Sequence, residues 1–410
     1  MLHRLTQIMV LVTITPSFAL DNGLGRTPAM GYNTWYDLMG SLTEENLKAS
    51  VDAFIKLGLP ELGYTYFNLD DDWAAGRYPN GTVFADESKF PSKTLKPIAD
   101  YVHSNGLKFG TYTDRGTLTC GGKPGSFNYE KIDARTYALW GVDYLKEDSC
   151  HASSEDHDLA FQEYTTMRDA LNATGRPILF SLCGWYSWYA LVGSSLGNSW
   201  RIGPDDTNWD GVLTNININS RLAQHASPGS FNDPCLLLST NFNNYLRITL
   251  LQSRAQFIMW CIMASPLLIS GNVRNLDLYV VDTYKNKDAI AINQDPLGKQ
   301  GIRVRGSDLT VGSSKGDDTN VWMKELESGI AVAFLNVGAS NATVQCDAAC
   351  FAFSKMSTKM LCGKEVYSGI EVKFATADGL FVLDLPPSGG SALFKLSACR
   401  GESLTSVFQL

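Results

Sequence analysis

Several features that would indicate other classes of protein are scarce or missing in this sequence. Lysine and arginine number 34 against 42 aspartates and glutamates, and no basic run locally reverses the net charge of −8. A nucleic-acid or anionic-membrane partner is therefore disfavoured. No glycine-rich dinucleotide fingerprint and no serine nucleophile elbow is present. The five histidines are scattered and the cysteines lack the paired spacing of zinc sites, so we expect neither a metal nor another cofactor.

The N-terminus has the pattern of a secretory signal peptide. Arg4 precedes an apolar stretch from Ile8 to Ile14, and small residues lead to a cleavage site expected after Ala19. The apolar run is too short to cross a bilayer, and no other segment reads as a membrane span. Sequons for N-glycosylation occur at Asn80, Asn172 and Asn341. We therefore expect residues 1–19 to be removed and the mature protein to be secreted or lysosomal/vacuolar.

The nine cysteines indicate disulfides and at least one free thiol if the chain enters an oxidising compartment. Cys346 and Cys350, in "CDAAC", are close enough in sequence to bridge a small loop. Cys120 and Cys150 each follow a predicted strand and make a plausible second pair. Cys261 lies inside the apolar "FIMWCIMA" and is expected to be a buried thiol.

From about residue 27 to 298, short strand-like runs alternate with helical patterns. Between the first two strands, Ser41 and Glu44 form a capping-box pattern, and Leu47, Val51 and Phe54 recur at helical spacing. The eight strand candidates are "AMGYNTW", "YTYFNL", "LKFGTYT", "VDYLK", "PILFSL", "SWRIG", "GSFND" and "PLLIS". Eight such alternations predict a (β/α)8 TIM barrel over residues 20–300 rather than an open doubly wound sheet.

After residue 300 the texture changes to short strands separated by turns. Examples are "TNVWMKEL", "GIAVAFLNVG" and "GLFVLDLPPSGGSALFKL", and no amphipathic helix is obvious among them. This pattern predicts that residues 301–410 form a C-terminal antiparallel β-sandwich domain.

Polar residues end several of the predicted barrel strands. These are Asp70 to Asp72 in "NLDDDW", Tyr112 and Asp114 in "TYTDRG", Lys146 and Asp148 in "LKEDSC", and Arg201, Asp205 and Asp206 in "SWRIGPDD". Because the loops at the carboxyl ends of barrel strands converge on one pocket, we expect these groups to meet there. Trp35, Trp73, Trp185 and Trp188 near other strand ends offer faces for sugar C–H surfaces.

Strand alternation orients the charges of the fourth strand. Lys146 and Asp148 point together into the pocket, whereas Glu147 turns outward. A cation beside Asp148 favours its carboxylate form, which makes Asp148 a candidate nucleophile. Asp205, beside apolar residues, is expected to keep a raised pKa and to donate a proton. Two carboxyl groups in different surroundings are what glycoside hydrolysis requires.

Structural roles compete with this interpretation. Acidic residues after strands often cap helices, and Lys146 could simply neutralise Asp148 in an ion pair. Asp70 to Asp72 could bind a divalent cation, although no loop of spaced oxygen ligands surrounds them.

Seven collinear motifs resemble those of glycoside hydrolase family 27, the α-galactosidase and α-N-acetylgalactosaminidase family. They are "LDNGLGRTPAMGYNTW", "NLDDDW", "GLKFGTYTDRGTLTCGGKPGS", "WGVDYLKEDSC", "GNSWRIGPD", "FNDP" and "AINQDPLGKQG". The resemblance implies a barrel followed by a β-sandwich, and hydrolysis with retention through a covalent glycosyl-aspartate. The implied substrate is a galactose-containing oligosaccharide or glycoconjugate. A homodimer is one expected assembly state.

The resemblance also implies the roles of individual residues. Asp148 matches the nucleophile and Asp205 the general acid/base. Cys120 and Cys150 match a disulfide that flanks the site. Positions that match sugar contacts are Trp35, Asp70, Asp71, Tyr112, Cys120, Lys146, Trp185 and Arg201.

Three departures from the family pattern bear on the substrate. Gly184 removes a carboxylate expected near the sugar 2-hydroxyl, which predicts room for a larger substituent there. Cys235 stands where a pocket aspartate is expected, and Glu147 replaces an aromatic residue beside the nucleophile. The alternatives to an α-galactosidase are therefore an α-N-acetylgalactosaminidase, a β-L-arabinopyranosidase, or a sugar-binding homologue that has lost catalysis.

Overall fold

The structure is a computed structural model that describes residues 22–152, 156–240, 248–310, 318–354 and 358–399. The expected signal peptide, residues 1–19, lies outside the described residues. Within the described ranges, no helix combines the length and apolar character needed to cross a membrane.

The first part of the chain is built on parallel strands joined by helices. Its strands are β1 (Met30–Asn33), β2 (Tyr66–Asn68), β3 (Ala74–Arg77), β4 (Val83–Ala85), β5 (Lys108–Asp114), β6 (Tyr144–Asp148), β7 (Leu179–Leu182), β8 (Ser199–Arg201), β9 (Phe231–Asp233) and β10 (Leu267–Ile269). The α-helices among the described residues are α1 (Trp35–Leu38), α2 (Glu44–Lys56), α3 (Lys96–Ser104), α4 (Glu130–Trp140), α5 (His157–Asn172), α6 (Tyr189–Leu196), α7 (Trp209–Asn219), α8 (Leu250–Ile262), α9 (Leu278–Tyr284), α10 (Lys287–Asn293) and α11 (Ala348–Phe351).

Eight of these strands form one parallel sheet in the order β10-β1-β2-β5-β6-β7-β8-β9, and β3 and β4 make a separate hairpin. The two ends of the sheet meet through Leu237, just beyond β9, which bridges to Ile269 of β10. The Leu237 N–H donates to the Leu268 carbonyl at 2.8 Å, and the Ser270 N–H donates to the Leu237 carbonyl at 3.0 Å. The predicted TIM barrel is confirmed, and each of the eight strand candidates contributes a strand to it.

Helix α2, which lies between β1 and β2, shows how local sequence sets the start of a helix. Leu47, Val51 and Phe54 are fully buried on one face of α2, as their spacing predicts. The predicted capping box with Ser41 is wrong, because the N-cap is Thr43, whose hydroxyl accepts the Asn46 N–H at 3.1 Å. Ser41 instead ends a short 3-10 turn.

The C-terminal part is antiparallel. Its strands are β11 (Ile302–Arg305), β12 (Thr319–Leu326), β13 (Gly329–Asn336), β14 (Ala342–Cys346), β15 (Met360–Glu365), β16 (Glu371–Ala375), β17 (Leu380–Leu385) and β18 (Gly390–Ala398). A six-stranded sheet, ordered β11-β12-β13-β18-β15-β16, stacks on the β14-β17 pair. Between them lies a core that includes Val321, Val332, Phe334 and Phe394. The predicted β-sandwich is confirmed.

The opposite face of the six-stranded sheet packs on the barrel. Trp322, Ala333 and Leu393 alternate with the sandwich-core residues and join the barrel's hydrophobic core instead. Lys324 of β12 is also fully buried there. Its ammonium donates to carbonyls at the ends of α8 and α10, at 3.2 Å to Cys261 and 2.6 Å to Ile292. Burial lowers the pKa of Lys324 to about 8.

All nine cysteines lie in described segments. Disulfides join Cys120 to Cys150, Cys346 to Cys350, and Cys362 to Cys399, while Cys183, Cys235 and Cys261 are buried free thiols. The third disulfide links β15 to the residue that follows β18, neighbouring strands of the sandwich.

Candidate active site

A lysine and two carboxylates meet where β2 and β6 end. The Lys146 ammonium lies 2.9 Å from Asp70 Oδ2 and 3.9 Å from Asp148 Oδ2. The Tyr112 ring of β5 lies 5.0 Å from the same ammonium. Burial alone would lower the pKa of Lys146, but the charges of Asp70 and Asp148 outweigh it, so this pKa lies well above its usual value. Lys146 is therefore a fixed cation.

Backbone and amide donors hold the two acidic residues after β2. Asp70 Oδ2 accepts from the Asn33 amide at 2.7 Å, and the Asp70 N–H donates to Thr34 at 2.9 Å. Asp71 accepts from the N–H of Gly121 at 2.7 Å and is buried, which raises its pKa despite that bond. Both carboxyl groups are thus oriented before any ligand arrives.

The loops after β5 and β6 are tied together beside these carboxylates. The Cys120–Cys150 disulfide joins them, and the Tyr112 hydroxyl donates to Cys120 Sγ at 3.2 Å. Asp114, at the end of β5, accepts the Cys150 N–H at 2.7 Å. These bonds fix the segment that carries Asp148.

Asp148 is buried with an exposed fraction of 4%. Burial raises its pKa to about 7, and the charges of Asp114 and Asp205 add to the rise, whereas Lys146 lowers it. Lys146 favours the carboxylate form of Asp148, as expected, but burial outweighs this cation, so the net shift of the pKa is upward.

Asp205 behaves in the opposite way. Its side chain is 49% exposed, and its Oδ1 lies 2.9 Å from an Arg201 guanidinium nitrogen. Burial raises its pKa, but the charges of Arg201 and Lys146 more than offset this effect, so the pKa lies below its usual value. The expected raised pKa of Asp205 is therefore wrong. Of the two carboxyl groups, Asp148 therefore has the higher pKa in the free protein.

Asp148 and Asp205 lie near enough for the charge of one to act on the other. The charge of Asp205 acts on Asp148, and the charge of Lys146 acts on both carboxyl groups. Arg201 also donates to the Gly203 and Pro204 carbonyls at 3.2 and 2.9 Å, which fixes the loop that carries Asp205.

The tryptophans divide into two groups. Trp35 follows β1, and its backbone N–H donates to Asn33 Oδ1. The amide of Asn33 also donates to Asp70. Trp185 is half-buried beside Asp205 and adopts the left-handed backbone region, with φ +61°. Trp73, a candidate sugar-binding face, is only 3% exposed and packs edge-on against Trp140, so it belongs to the core.

Glu147 turns away from the pocket but does not reach solvent. It is fully buried, and neither carboxyl oxygen has a hydrogen-bond partner among the described residues. Burial first, and then the charges of Asp114 and Glu130, raise its pKa well above the usual value. The sequence predicted an outward side chain but missed a fully buried carboxyl group with a raised pKa behind the nucleophile candidate, because alternation does not reveal that helices cover this face.

The two other departures from the family pattern have local explanations. A Cβ on Gly184 would lie 1.8 Å from the Tyr189 ring, so this ring fills the space in which a larger sugar substituent was expected. That expectation is wrong at this position. The buried Cys235 thiol accepts the Asp206 N–H at 3.4 Å, and burial raises its pKa to about 12. A neutral group therefore occupies the place expected for a carboxylate.

Lysines pair with two of the three aspartates in the acidic run that could have bound a cation. Asp72 pairs with Lys89 at 2.9 Å and with Lys123 at 3.0 Å, while Asp70 pairs with Lys146. A second group of potential ligands comprises Asp114, Cys120, Asp148 and Cys150, but its two sulfurs form a disulfide and offer no thiolate.

Comparisons with known proteins identify the family of this chain. The family model described as Alpha galactosidase A matches residues 27–295. Alpha-galactosidase 3 of Arabidopsis thaliana is 40% identical over 79% of this chain and 72% of its own, and the alpha-galactosidase of Lachancea cidri is 36% identical over 81% and 75%.

The solved structure of alpha-galactosidase I from Mortierella vinacea is similar throughout. It superposes with a TM-score of 0.83 at 30% identity and covers 93% of this chain and 100% of its own. The chain therefore belongs to the alpha galactosidase A family of glycoside hydrolases, within family 27.

Proposed function

We propose that this protein hydrolyses terminal, non-reducing α-D-galactosyl residues of oligosaccharides or glycoconjugates with retention of anomeric configuration. Family membership and the relatives named alpha-galactosidase support this substrate. The observation that carries the proposal is the charge arrangement at the barrel mouth. Lys146 bridges Asp70 and Asp148, and Arg201 presents Asp205 to the same space.

Each carboxyl group has a distinct role in the proposed reaction. Asp148 attacks the anomeric carbon and forms a glycosyl ester, while Asp205 protonates the departing oxygen. Asp205 then removes a proton from the water that hydrolyses the ester. Asp70 and Asp71 accept hydrogen bonds from adjacent sugar hydroxyls, and Lys146 donates one.

Substrate binding must reverse the order of the two pKa values, because the reaction needs Asp148 ionised and Asp205 protonated, whereas Asp148 has the higher pKa in the free protein. Asp205 is half-exposed, and a bound glycoside would cover it and remove water from its carboxylate. Desolvation of this kind raises a carboxyl pKa. Binding therefore favours the reactive arrangement, in which Asp148 is ionised and Asp205 is protonated.

The residues near Gly184 support galactose over an N-acetylated sugar. The expected space for a 2-acetamido group is occupied by Tyr189, which stacks on Trp188 with ring centroids 4.0 Å apart. The ring is buried, so it would have to leave its packed position to open that space.

Parallel assays on 4-nitrophenyl α-D-galactoside, α-N-acetylgalactosaminide and β-L-arabinopyranoside test the proposal. We expect the first to be hydrolysed fastest, and NMR to detect α-galactose as the first product. Faster cleavage of another glycoside, initial release of the β-anomer, or no turnover would each contradict it.

We also propose that the chain passes through the secretory pathway to the outside or to a lysosome-like or vacuolar compartment. The disulfides support this route, because such bonds persist in oxidising compartments. The sequon asparagines Asn80, Asn172 and Asn341 are all exposed. Intact-mass measurement before and after glycosidase treatment, together with fractionation of the source cells, tests this route.

A further inference from the structure

A cavity of about 550 Å³ opens beside Asp205, on the side of the site formed by the loops after β7 and β8. Trp185 and Tyr186 line it from the first loop. Ile202 and Pro204 line it from the second loop, and Ile218 of α7 lines it from the flank. The cavity therefore adjoins the carboxyl group proposed to protonate the leaving oxygen.

The chemistry of this lining is mostly apolar. Two aromatic rings, two isoleucines and a proline face the cavity, whereas Ser187 and Asp205 are its polar side chains. Sugars are usually held by several directional hydrogen bonds, and one hydroxyl and one carboxylate provide few of them. An apolar group would instead gain from leaving water.

The loop after β8 is built to hold the cavity open in this shape. Gly203 lets α7 approach closely, because a Cβ there would lie 2.0 Å from Asn215 Oδ1 and 3.0 Å from Ile218 Cδ1. The Asn215 amide donates to the Pro204 carbonyl at 2.7 Å and to Asp206 at 2.6 Å. These contacts fix the distance between Ile218 and the loop that carries Asp205.

The loop after β7 is held equally firmly. Trp188 stacks on His157 of α5 with ring centroids 4.0 Å apart and on Tyr189 at the same distance. Tyr189 in turn meets Tyr164 edge-on at 5.7 Å. Trp185 itself has a positive φ of +61°, which is unusual for a bulky residue. The segment that follows the aromatic wall is thus anchored to α5 and α6.

We propose that this cavity is an aglycone subsite that prefers apolar groups, namely alkyl or ring-containing alcohols linked to α-galactose. This proposal rests on the proposed function, because the leaving group must lie next to the acid Asp205. Bound there, the aglycone contacts Trp185, Tyr186 and Ile218 while its glycosidic oxygen faces Asp205. Glycoconjugates with an apolar aglycone would then be better substrates than oligosaccharides with the same linkage.

Three galactosides without an aryl leaving group test this preference. Cyclohexylmethyl α-galactoside and α-galactosyl-(1→6)-glucose both release a primary alcohol, and methyl α-galactoside measures hydrolysis with an empty subsite. We expect kcat/KM for the cyclohexylmethyl compound to exceed that for the disaccharide by about tenfold, from the apolar area that the ring buries. A disaccharide that is equally good or better would overturn the subsite.

Ile218→Thr tests the assigned wall. Ile218 is half-buried, so the variant is expected to fold, and losing about one buried methylene should lower the ratio of cyclohexylmethyl to methyl kcat/KM about fourfold. Leu139→Thr, at a 78% exposed position on α4, is the matched control and should leave this ratio unchanged.

The outcomes separate the two proposals. Suppose that methyl α-galactoside is hydrolysed, but the ratio of cyclohexylmethyl to methyl kcat/KM is near one or is not lowered by Ile218→Thr. The subsite then fails and the proposed function stands. If none of the three galactosides is hydrolysed, both fail.

Discussion

Two buried lysines of this protein lie in contrasting surroundings. Lys146 at the barrel mouth faces carboxylates, and its pKa lies well above the usual value. Lys324, between barrel and sandwich, faces carbonyl oxygens of two helix ends, and burial lowers its pKa to about 8. Both are screened from water, so burial does not explain the difference. Full opposite charges stabilise the ammonium far more than carbonyl dipoles do.

Lys146 therefore has a proposed catalytic role, whereas Lys324 has a structural one. At the mouth, Lys146 is shared by two carboxylates, and one of these, Asp148, still has a pKa of about 7. A group that titrates in this range can change its protonation state during a reaction. Lys324 instead donates hydrogen bonds to carbonyls at the ends of two helices. The first arrangement is responsive, whereas the second holds two parts of the molecule together.

The largest expected effect is at the mouth. Asp148→Asn should lower kcat for 4-nitrophenyl α-galactoside by about 10⁴-fold or more, because an amide cannot form the glycosyl ester. Steady-state kinetics measures the loss, and circular dichroism checks folding. Asp100→Asn, on the exposed face of α3, should retain full activity. A folded Asp148→Asn enzyme with wild-type turnover would remove the nucleophile from the proposed site.

Lys146→Met should have the next largest effect. The variant leaves Asp70 and Asp148 without their shared cation, so we expect kcat/KM to fall by about 10³-fold, the loss typical of a key electrostatic group. Lys48→Met, on the surface of α2, is the control. Similar activity in the two variants would contradict the electrostatic role of Lys146 in the proposed site.

Asp205→Ala should divide substrates by leaving group. Without a proton donor, methyl α-galactoside should be cleaved about 10²–10⁴-fold more slowly. 4-Nitrophenyl α-galactoside, which releases a stable phenolate, should lose much less in its galactosylation step. Single-turnover kinetics on both substrates measures this step, and equal slowing would argue against the acid role.

The pH profile tests the pair of carboxyl groups, Asp148 and Asp205. Reaction needs one proton on this pair, and Asp148, the carboxyl with the higher pKa, titrates at about 7. We therefore expect kcat/KM to be highest at acidic pH and to fall above about pH 7 by tenfold per unit. An activity that stays constant to pH 9 would contradict this expectation.

The smallest expected effect is at the structural lysine. Lys324→Met should lower the free energy of unfolding by about 1–3 kcal/mol, because buried carbonyls lose their donor, while activity stays unchanged. Denaturant unfolding measures the difference.

The pH dependence of that difference has a defined sign. The folded pKa of Lys324, about 8, is below the unfolded value of about 10.4, so the native protein binds fewer protons between these limits. Wild-type stability relative to Lys324→Met should therefore rise with pH across this window, by at most about 1.4 kcal/mol per unit. A falling difference would mean that the ammonium is better stabilised than its carbonyl partners allow.

The sequence predicted architecture well because apolar periodicity is a local property. Each of the eight barrel strands was identified from its own apolar residues and the turns that bound it. The closed barrel was predicted, but the bridge at Leu237 that joins its two ends was not, because a single bridging residue has no strand pattern. The N-cap Thr43 was missed because a second candidate, Ser41, stood two residues earlier and made a better motif.

The site was predictable in identity but not in electrostatics. The residues expected at strand ends include the Lys146 cluster and the Arg201–Asp205 pair. The net pKa shifts of Asp148 and Asp205 were not predicted, because burial outweighs the nearby cation at Asp148, whereas the charges of Arg201 and Lys146 outweigh burial at Asp205. Gly184 was misread for a similar reason, since only the folded chain shows that Tyr189 fills the adjacent space.

The geometry of the barrel mouth depends on oxidation of Cys120 and Cys150 to a disulfide. This disulfide is the single covalent link between the loops after β5 and β6, and it lies beside the carboxylates proposed to bind and attack the sugar. A chain synthesised without an oxidant would acquire its hydrophobic core but lack this tether. Competence for catalysis would then lag behind folding until the two sulfurs are joined.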